Sequence, residues 1–380
     1  MALKICFISA ALPDVSCGIG DYTDALACAL ARRDHEVVVL TTASPDLRPP
    51  SGYRAIPLQT TWSLRDAGRI AAAVRRENPE VVHLQFPGVG YGRGFGASFA
   101  PWAVRLRGQK PLLVTTLHEF HTFRLRHRAR LAVAVSACDL VIAPDPAELA
   151  SIQRHLRWRR GLDTAFIPVA ASVWPAATAQ RRAAPDREGE LVIGYWGFLR
   201  PDKGVDLLLE AFVQVRRARP ARLVLAGDPG PDRAYAAGLQ RKAADLGLAS
   251  AIQSTGRLPA EQLSAVMQSF DACVLPFRDG LSQNRTTYAG AVAHGLYVVT
   301  TGLDQRGFLP ETNTTFVPTN DRDALVSAIL DAPNHPRNQG MAAPEAAWDE
   351  IADLHLAAYR RAGAGPERSA SQPTKSPGGP

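Results

Sequence analysis

Residues 190–212 read ELVIGYWGFLRPDKGVDLLLEAF, and this stretch sets the fold class. It opens with the continuous apolar run ELVIGYWGF, which is typical of a parallel strand covered on both faces. A polar loop that contains a proline follows, and VDLLLEAF then has the apolar spacing of an amphipathic helix. The stretch therefore predicts a strand, a loop at its carboxyl end, and a helix that packs back on the sheet.

The same alternation of buried strands and amphipathic helices continues on both sides of this stretch. Further strands are predicted at 3–9, 36–42, 53–58, 80–86, 111–118 and 139–144, and at 221–228, 251–256, 271–277, 296–301 and 314–318. Helical patterns between them include 21–33 and 63–77. The alternation predicts an α/β protein with two successive doubly wound, Rossmann-like domains.

A break in the alternation marks the boundary between the two domains. Residues 172–190 contain two prolines and little apolar periodicity, which predicts a linker. Two doubly wound domains that face each other would form a cleft, the usual place for a ligand. The predicted organisation is a first domain at 1–172, a linker at 173–189, a second domain at 190–343, an amphipathic helix at 344–362 and a disordered tail at 363–380.

Composition excludes several classes of protein. The chain has 380 residues, of which 46% are hydrophobic and 21% charged, so it is not disordered as a whole. The apolar runs fall short of the roughly 20 residues that a transmembrane helix needs, and the N-terminus reads as a buried strand rather than a signal peptide. The cysteines are odd in number and too scattered for a disulfide framework or a zinc site, which favours a cytoplasmic setting. They are Cys6, Cys17, Cys28, Cys138 and Cys273.

The formal net charge of +7 lies in the first half of the chain. Residues 1–172 hold 21 basic and 14 acidic residues, whereas residues 173–380 hold 22 of each. Part of the excess clusters in FRLRHRAR (123–130) and RHLRWRR (154–160). Solvated helix faces and a functional patch are both open interpretations. A patch would suit an acidic or lipid-linked acceptor, or peripheral contact with an anionic inner membrane surface; a nucleic-acid partner is not expected, because no recognised module accompanies the charge.

A glycine-containing segment, CGIGDYTDAL (17–26), follows the first strand. Gly18 and Gly20 precede a predicted helix, where backbone N–H groups can approach a phosphate. A plain helix-capping turn is the alternative. The dinucleotide fingerprint fails here because Thr23 takes the place of its third glycine, which disfavours a nicotinamide-dependent dehydrogenase.

Two loops of the second domain carry candidate anion-binding residues. Arg200 and Lys203 stand between a strand end and a helix start, which suits a diphosphate, although a solvated basic loop is the alternative. In the second loop, Ser282 and Arg285 precede a helix predicted at 286–294, with Gly295 at its end. Capping of that helix by Ser282 or Asn284 is the alternative there.

Two histidines are predicted near strand ends in the first domain. His118 falls at the carboxyl end of the fifth strand and is followed by Glu119 and His121, and we favour a role for it in the site. His83 is predicted at a similar strand end, where a hydrogen-bonded structural histidine is the favoured interpretation.

The succession of these segments resembles the GT-B glycosyltransferases, specifically the retaining, sugar-nucleotide-dependent enzymes of glycosyltransferase family 4. The resemblance covers roughly residues 1–360. The matching segments are the glycine loop at 18–20, His118, GFLRPDKG (197–204), LVLAGD (223–228), TGRLPAEQLSAVMQSFDACVLPF (255–277), A-x-A-x-G with VVTT (291–301), and WDEIADLHLAAY (348–359), which is similar to the family's last helix, the one that crosses back to the first domain.

The resemblance implies a function and a set of roles. The chain would transfer a hexose from a nucleotide-diphosphate sugar, with UDP or GDP as the nucleotide, to an acceptor hydroxyl with retained configuration. It would need no metal and no further cofactor. His118 would lie by the transferred sugar, Arg200 and Lys203 would neutralise the leaving diphosphate, and the donor-binding residues would be Gly18, Gly20, Asp279, Gly280, Ser282 and Arg285.

The sequence departs from the family pattern at three positions. Where the family usually has two glutamates eight positions apart, this chain has Ser282 and Gly290, and Asp279 is a candidate replacement for the first. Phe198 stands where the family has an arginine, and Arg200 is a candidate substitute. The missing glutamates leave a non-catalytic sugar-nucleotide or glycan-binding relative as the alternative function.

Overall fold

The computed structural model describes most of the chain, and it places the described residues in two compact units. One unit comprises Met1–Pro168 together with Glu345–Pro380, and the other comprises Val169–Pro344. The residues described are 2–13, 18–44, 51–58, 60–92, 94–108, 110–118, 125–176, 189–229, 232–302, 312–338 and 344–364. Most of the predicted linker and tail, and the residues Cys17, Glu119 and His121, lie outside these ranges.

The first unit is built on a parallel sheet in the strand order β3-β2-β1-β4-β5-β6-β7. Its strands are β1 (Lys4–Ile8), β2 (Glu36–Thr42), β3 (Arg54–Leu58), β4 (Val81–Phe86), β5 (Leu112–Leu117), β6 (Leu140–Ala143) and β7 (Asp163–Phe166). The helices that follow them along the chain are α1 (Gly18–Ala31), α2 (Ala67–Glu77), α3 (Gly96–Leu106), α4 (Leu125–Ser136) and α5 (Pro146–His155). The central strands are buried on both faces because helices cover both sides of a parallel sheet.

The second unit repeats this design with the strand order β10-β9-β8-β11-β12-β13, again all parallel. Its strands are β8 (Leu191–Phe198), β9 (Ala221–Asp228), β10 (Ile252–Ser254), β11 (Ala272–Leu275), β12 (Tyr297–Thr301) and β13 (Thr314–Val317). Its helices are α6 (Val205–Ala218), α7 (Arg233–Asp245), α8 (Ala260–Met267), α9 (Thr286–Ala293) and α10 (Arg322–Leu330). The fold class predicted from residues 190–212, two parallel α/β domains, is confirmed.

Some predicted elements needed correction. The sequence pattern does not predict strand β7, because DTAF is short, only partly buried and without a continuous apolar run. Gly18 and Gly20 lie inside the first turn of α1 rather than before it. His83 is the third residue of β4, not a strand-end residue, and its side chain is fully buried. Gly295 follows α9 with a φ of 65°, in the left-handed conformation expected of a glycine after a helix.

The last helix, α11 (Pro344–Gly363), packs on the first unit, as predicted. Arg33, in the turn after α1, forms ion pairs with Asp349 and Asp353 at 2.8 and 2.7 Å. The buried face of α11 carries His355 and Tyr359 against the sheet. No helix among the described residues has both the length and the apolar content that crossing a bilayer requires.

Buried His355 makes the docking of α11 sensitive to pH. Its Nδ1 lies 2.8 Å from the carbonyl oxygen of Ile351, so Nδ1 carries the proton and Nε2 accepts from the hydroxyl of Tyr22 at 3.2 Å. Both ring nitrogens are then satisfied only in the neutral form. Burial lowers the pKa of His355 to about 4.

We expect the free energy of unfolding to fall as the pH drops from about 6.5 to about 4. The unfolded chain binds a proton at His355 in this range and the folded chain does not, which corresponds to about 3 kcal/mol for one such group. Urea unfolding at several pH values measures the slope of the free energy of unfolding against pH. His355→Gln should flatten it and the exposed-site variant His155→Gln should not; equal slopes for wild type and His355→Gln would contradict the assignment.

Candidate functional site

Three cations converge at the carboxyl edge of the second sheet. Arg200 and Lys203 follow β8, and Arg285 follows β11. Strands β8 and β11 are neighbours in the sheet, so the loops after them are adjacent. The N–H of Arg278 donates to the carbonyl oxygen of Asp202 at 2.9 Å and ties the two loops together.

The carboxylate of Asp202 lies at the centre of this cation cluster. Its Oδ1 accepts from Arg200 Nε at 2.9 Å, and its Oδ2 lies 3.9 Å from Lys203 Nζ and 3.8 Å from Arg285 Nη1. Three cations around one carboxylate leave a local excess of two positive charges. The cluster of Arg200, Lys203, Arg285 and Asp202, called the cation cluster below, is therefore suited to an anion with about two negative charges.

Phe277 forms an apolar wall beside the cation cluster. Lys203 Nζ and the guanidinium carbon of Arg285 each lie 5.0 Å from the centre of its ring. Lys203 is itself buried, with 7% of its surface exposed. A cation held in a partly desolvated place interacts more strongly with an incoming anion than one in water.

Two helices begin at the cation cluster without a side-chain cap. Gly204 precedes α6, and Arg285 precedes α9, and neither start has a capping hydrogen bond from the side chain at that position. Gly204 has a φ of 66°, and a Cβ there would lie 2.0 Å from the carbonyl oxygen of Pro276, so only glycine fits. The first N–H groups of both helices thus add partial positive charge at the same edge.

Two buried polar atoms at the start of α9 have no hydrogen-bond partner among the described residues. They are Arg285 Nε and Thr287 Oγ1. Buried polar atoms are normally paired, so unpaired ones beside a charged cluster are consistent with a ligand that completes them.

The remaining predicted donor-binding residues lie on the loop between β11 and α9. Asp279 is exposed, and Gly280 is buried in a turn where its N–H donates to the carbonyl oxygen of Phe277 at 3.2 Å. The Ser282 hydroxyl donates to Asn284 Oδ1 at 2.6 Å. Arg285, rather than Ser282 or Asn284, occupies the position before α9.

Gly290, where the family has its second glutamate, is packed against an indole ring. A Cβ at this position would lie 2.5 Å from Cζ2 of Trp196 and 3.0 Å from Cη2. Trp196 belongs to β8 and is 5% exposed. The indole therefore fills the space that any side chain at position 290 would need.

In the first unit, the two predicted glycines have different surroundings. A Cβ on Gly20 would lie 2.9 Å from the carbonyl oxygen of Leu12, so this glycine allows α1 to pack on the loop after β1. A Cβ on Gly18 would have no described atom within 4 Å, so packing in the described part of the chain does not require a glycine there.

His118 follows β5 at the carboxyl edge of the first sheet and is 8% exposed. Its Nε2 lies 2.8 Å from Gln85 Oε1, and the ring of Tyr22 packs edge-on against it at 4.9 Å. Burial, with a smaller effect from His355, lowers the pKa of His118 to about 3, so the imidazole is neutral at physiological pH.

His118 is part of a buried polar layer that the sequence reasoning missed. His83 lies 2.6 Å from the Tyr359 hydroxyl and 2.8 Å from Thr116 Oγ1, which confirms the interpretation of His83 as a hydrogen-bonded structural residue. The layer consists of Tyr22, His83, Gln85, Thr116, His118, His355 and Tyr359. Its signal in the sequence was polar residues at alternate positions of two buried strands, VVHLQF and LLVTTLH.

The basic segment 154–160 comprises the last two residues of α5 and the first part of the connection to β7. Arg154, Arg157 and Arg160 are exposed, and Trp158 is 57% exposed. Arg159 donates to the carbonyl oxygen of Cys138 at 3.0 Å. Most of the other basic segment, 123–130, lies outside the described side chains.

Comparison with known proteins identifies relatives of both halves. The family described as glycosyl transferases group 1 matches residues 190–334, and the one described as glycosyltransferase family 4 matches residues 17–165. A GDP-mannose-dependent alpha-(1-6)-phosphatidylinositol monomannoside mannosyltransferase of Mycolicibacterium smegmatis is 28% identical over 360 residues, which covers 84% of this chain and 86% of the relative. A phosphatidyl-myo-inositol mannosyltransferase of Mycobacterium leprae is 27% identical over 338 residues, covering 83% and 84%. The structure of sucrose-phosphate synthase from Thermosynechococcus elongatus shares the fold, with a TM-score of 0.69 and 21% identity over 95% of this chain and 97% of that one.

The two parallel α/β units have the GT-B fold of that solved structure. The family matches over both halves make the chain a glycosyltransferase of the GT-B type. The two family matches together span most of its length. The first half of the chain is thus similar to glycosyltransferase family 4, and the second half to the glycosyl transferases group 1 family.

Proposed function

We propose that the protein transfers a hexose from a nucleoside-diphosphate sugar to an acceptor hydroxyl with retention of the anomeric configuration. The observation that supports this proposal is the cation cluster, which joins Arg200, Lys203 and Arg285 at two uncapped helix starts. Its local excess of two positive charges matches the charge of a bound diphosphate. Arg200, Lys203 and Arg285 therefore provide the positive charge that a divalent cation would otherwise supply.

In the proposed reaction, the bond between the anomeric carbon and the diphosphate oxygen breaks first. Negative charge then grows on the diphosphate and positive charge on the sugar ring. The acceptor oxygen attacks from the face that the diphosphate leaves, and its proton passes to the departing phosphate oxygen. Lys203 and Arg285 stabilise the leaving group, and neutral His118 lies beside the sugar without opposing its positive charge.

The names of two relatives indicate the substrates to test first. One relative is named for its dependence on GDP-mannose and for a phosphatidylinositol monomannoside acceptor, and the other for phosphatidyl-myo-inositol. We propose mannosyl transfer from GDP-mannose to a lipid-linked acceptor, carried out at the cytoplasmic membrane surface. The proposal for a lipid acceptor rests on these names and not on the basic segment 154–160. That segment precedes the edge strand β7, whereas His118 follows the more central strand β5.

A non-catalytic sugar-nucleotide-binding protein is the second candidate. It is favoured by the packing of Trp196 against Gly290, which leaves no room for a carboxylate there. Such a protein would bind the nucleotide and show neither transfer to lipid extracts nor slow hydrolysis of the donor sugar.

Ligand-induced stabilisation tests the nucleotide site. We expect at least one of GDP, UDP, ADP and dTDP to raise the Tm, because a ligand of the native state stabilises it. Lys203→Met should remove most of this shift while roughly keeping the volume of the buried side chain. The matched control is Lys242→Met, since Lys242 of α7 pairs with Glu210 of α6 and should leave the shift intact. An undiminished shift in Lys203→Met would refute the assigned phosphate site.

A further inference from the structure

Gln85 and His118 form a contact that the architecture of the first sheet imposes. They lie near the carboxyl ends of the neighbouring strands β4 and β5, and the register pairs Gln85 with Thr116, two residues before His118. Gln85 Oε1 lies 2.8 Å from His118 Nε2, and the two residues are 0% and 8% exposed. Alternate residues of a strand share one face, so both side chains lie on the same side of the sheet.

This contact determines which nitrogen of His118 carries the proton. With the Gln85 amide oriented so that Oε1 faces the ring, His118 Nε2 is the donor, because an amide oxygen only accepts hydrogen bonds. The titratable groups that face the ring from α1, β4 and α11 are Tyr22, His83 and His355. Burial and the neighbouring histidine both disfavour a second proton on the ring.

The other end of the Gln85 amide argues against a purely structural role. Gln85 Nε2 is buried and has no hydrogen-bond partner among the described residues. An unpaired buried donor is unfavourable, so a residue selected only for packing would be apolar at this position. What the amide provides here is an uncharged acceptor for His118.

We infer that Gln85 is a positioning residue that holds His118 as a neutral imidazole with its proton on Nε2. The inference rests on the proposed function in one respect, which is that His118 lies beside the transferred sugar. The sugar becomes positively charged in the transition state, and an imidazolium next to it would oppose the reaction. A glutamine at position 85 orients the ring without a charge, whereas a carboxylate there would favour the imidazolium.

The test compares Gln85→Glu, which has the same shape, with Gln85→Leu, which removes the acceptor. Imidazole ¹⁵N shifts of the full-length protein should show His118 neutral with Nε2 protonated between about pH 6 and 8 in the wild type. In Gln85→Glu, the introduced carboxylate and the His118 ring should together hold one more proton in this pH range than the Gln85–His118 pair of the wild type holds. The acid limb of the kcat–pH profile with GDP-mannose should move up by at least about one pH unit in Gln85→Glu. Gln85→Leu should lower kcat about tenfold with a nearly unchanged Tm, because the unpaired amide is removed as well.

Thr115→Val is the matched control. Thr115 is buried on the opposite face of β5, where its hydroxyl donates to the carbonyl oxygen of Leu84 at 3.1 Å. The Thr115→Val variant should leave the His118 ¹⁵N signals and the kcat–pH profile unchanged. Identical His118 signals in Gln85→Glu and the wild type at every pH would overturn the inference. Shifted signals with an unaltered kcat profile would uphold the role of Gln85 and instead overturn the placement of His118 beside the sugar.

Discussion

Replacing Lys203 by Met is expected to lower kcat by about two to three orders of magnitude, the size of effect seen when one charge-stabilising group is removed from a preorganised site. Lys203 Nζ is held 3.9 Å from Asp202 and 5.0 Å from the centre of the Phe277 ring, in a residue that is 7% exposed. A cation fixed in this way needs little reorganisation when negative charge grows on the leaving diphosphate. Steady-state kinetics with a labelled sugar donor measures the loss.

The comparison of kcat with KM decides whether Lys203 acts on the reaction or only on binding. The diphosphate is already charged in the bound donor, so some increase in KM is expected, but the charge added on bond cleavage should fall mainly on kcat. Arg222→Met is the control, because Arg222 lies at the amino end of β9 and pairs with Glu190 at 3.3 Å. A raised KM with an unchanged kcat would remove Lys203 from the catalytic step.

The strand-loop-helix unit around Lys203 could be predicted because each of its parts is encoded locally. The apolar run of β8 and the spacing of VDLLLEAF follow from nearest neighbours in the sequence. The convergence of Lys203 with Arg285 was less accessible, since it depends on β8 and β11 lying side by side. Strand order arises from tertiary packing, which the pattern of one segment does not contain.

The environment of His118 could not be predicted for a related reason. Tyr22 and His355 are 333 positions apart in the chain, yet their side chains are hydrogen-bonded beside the His118 ring. Only the return of α11 to the first unit brings them together. The alternating polar residues of β4 and β5 do signal a polar layer, but what fills its other side is a property of the whole fold.

The packing of Gly290 leads to the second large effect. Gly290→Glu, which supplies the acid usual in the family, is expected to destabilise the second unit by about 3 kcal/mol or more, because it combines overpacking with a buried charge. A Cβ added at this position would lie 2.5 Å from Trp196 Cζ2, well inside van der Waals contact. Urea unfolding measures the loss. Gly238→Glu in α7 is the control: the nearest atom to its Cβ is an Arg241 nitrogen at 3.9 Å, so this change should be neutral or stabilising.

A double-mutant cycle with Trp196→Ala separates a specific clash from a general intolerance of position 290. Trp196→Ala alone should cost about 3–5 kcal/mol through the cavity that it leaves. If the indole is what excludes the glutamate, the double variant should lose less free energy of unfolding than the two single variants lose together. The difference should be at least about 1 kcal/mol. Strict additivity would mean that Trp196 is not the obstacle. A positive coupling would show that β8 and α9 are fitted to each other without an acid, so that one substitution cannot restore the family pattern. Donor recognition in this chain would then have to rely on the cation cluster and on residues other than a glutamate at position 290.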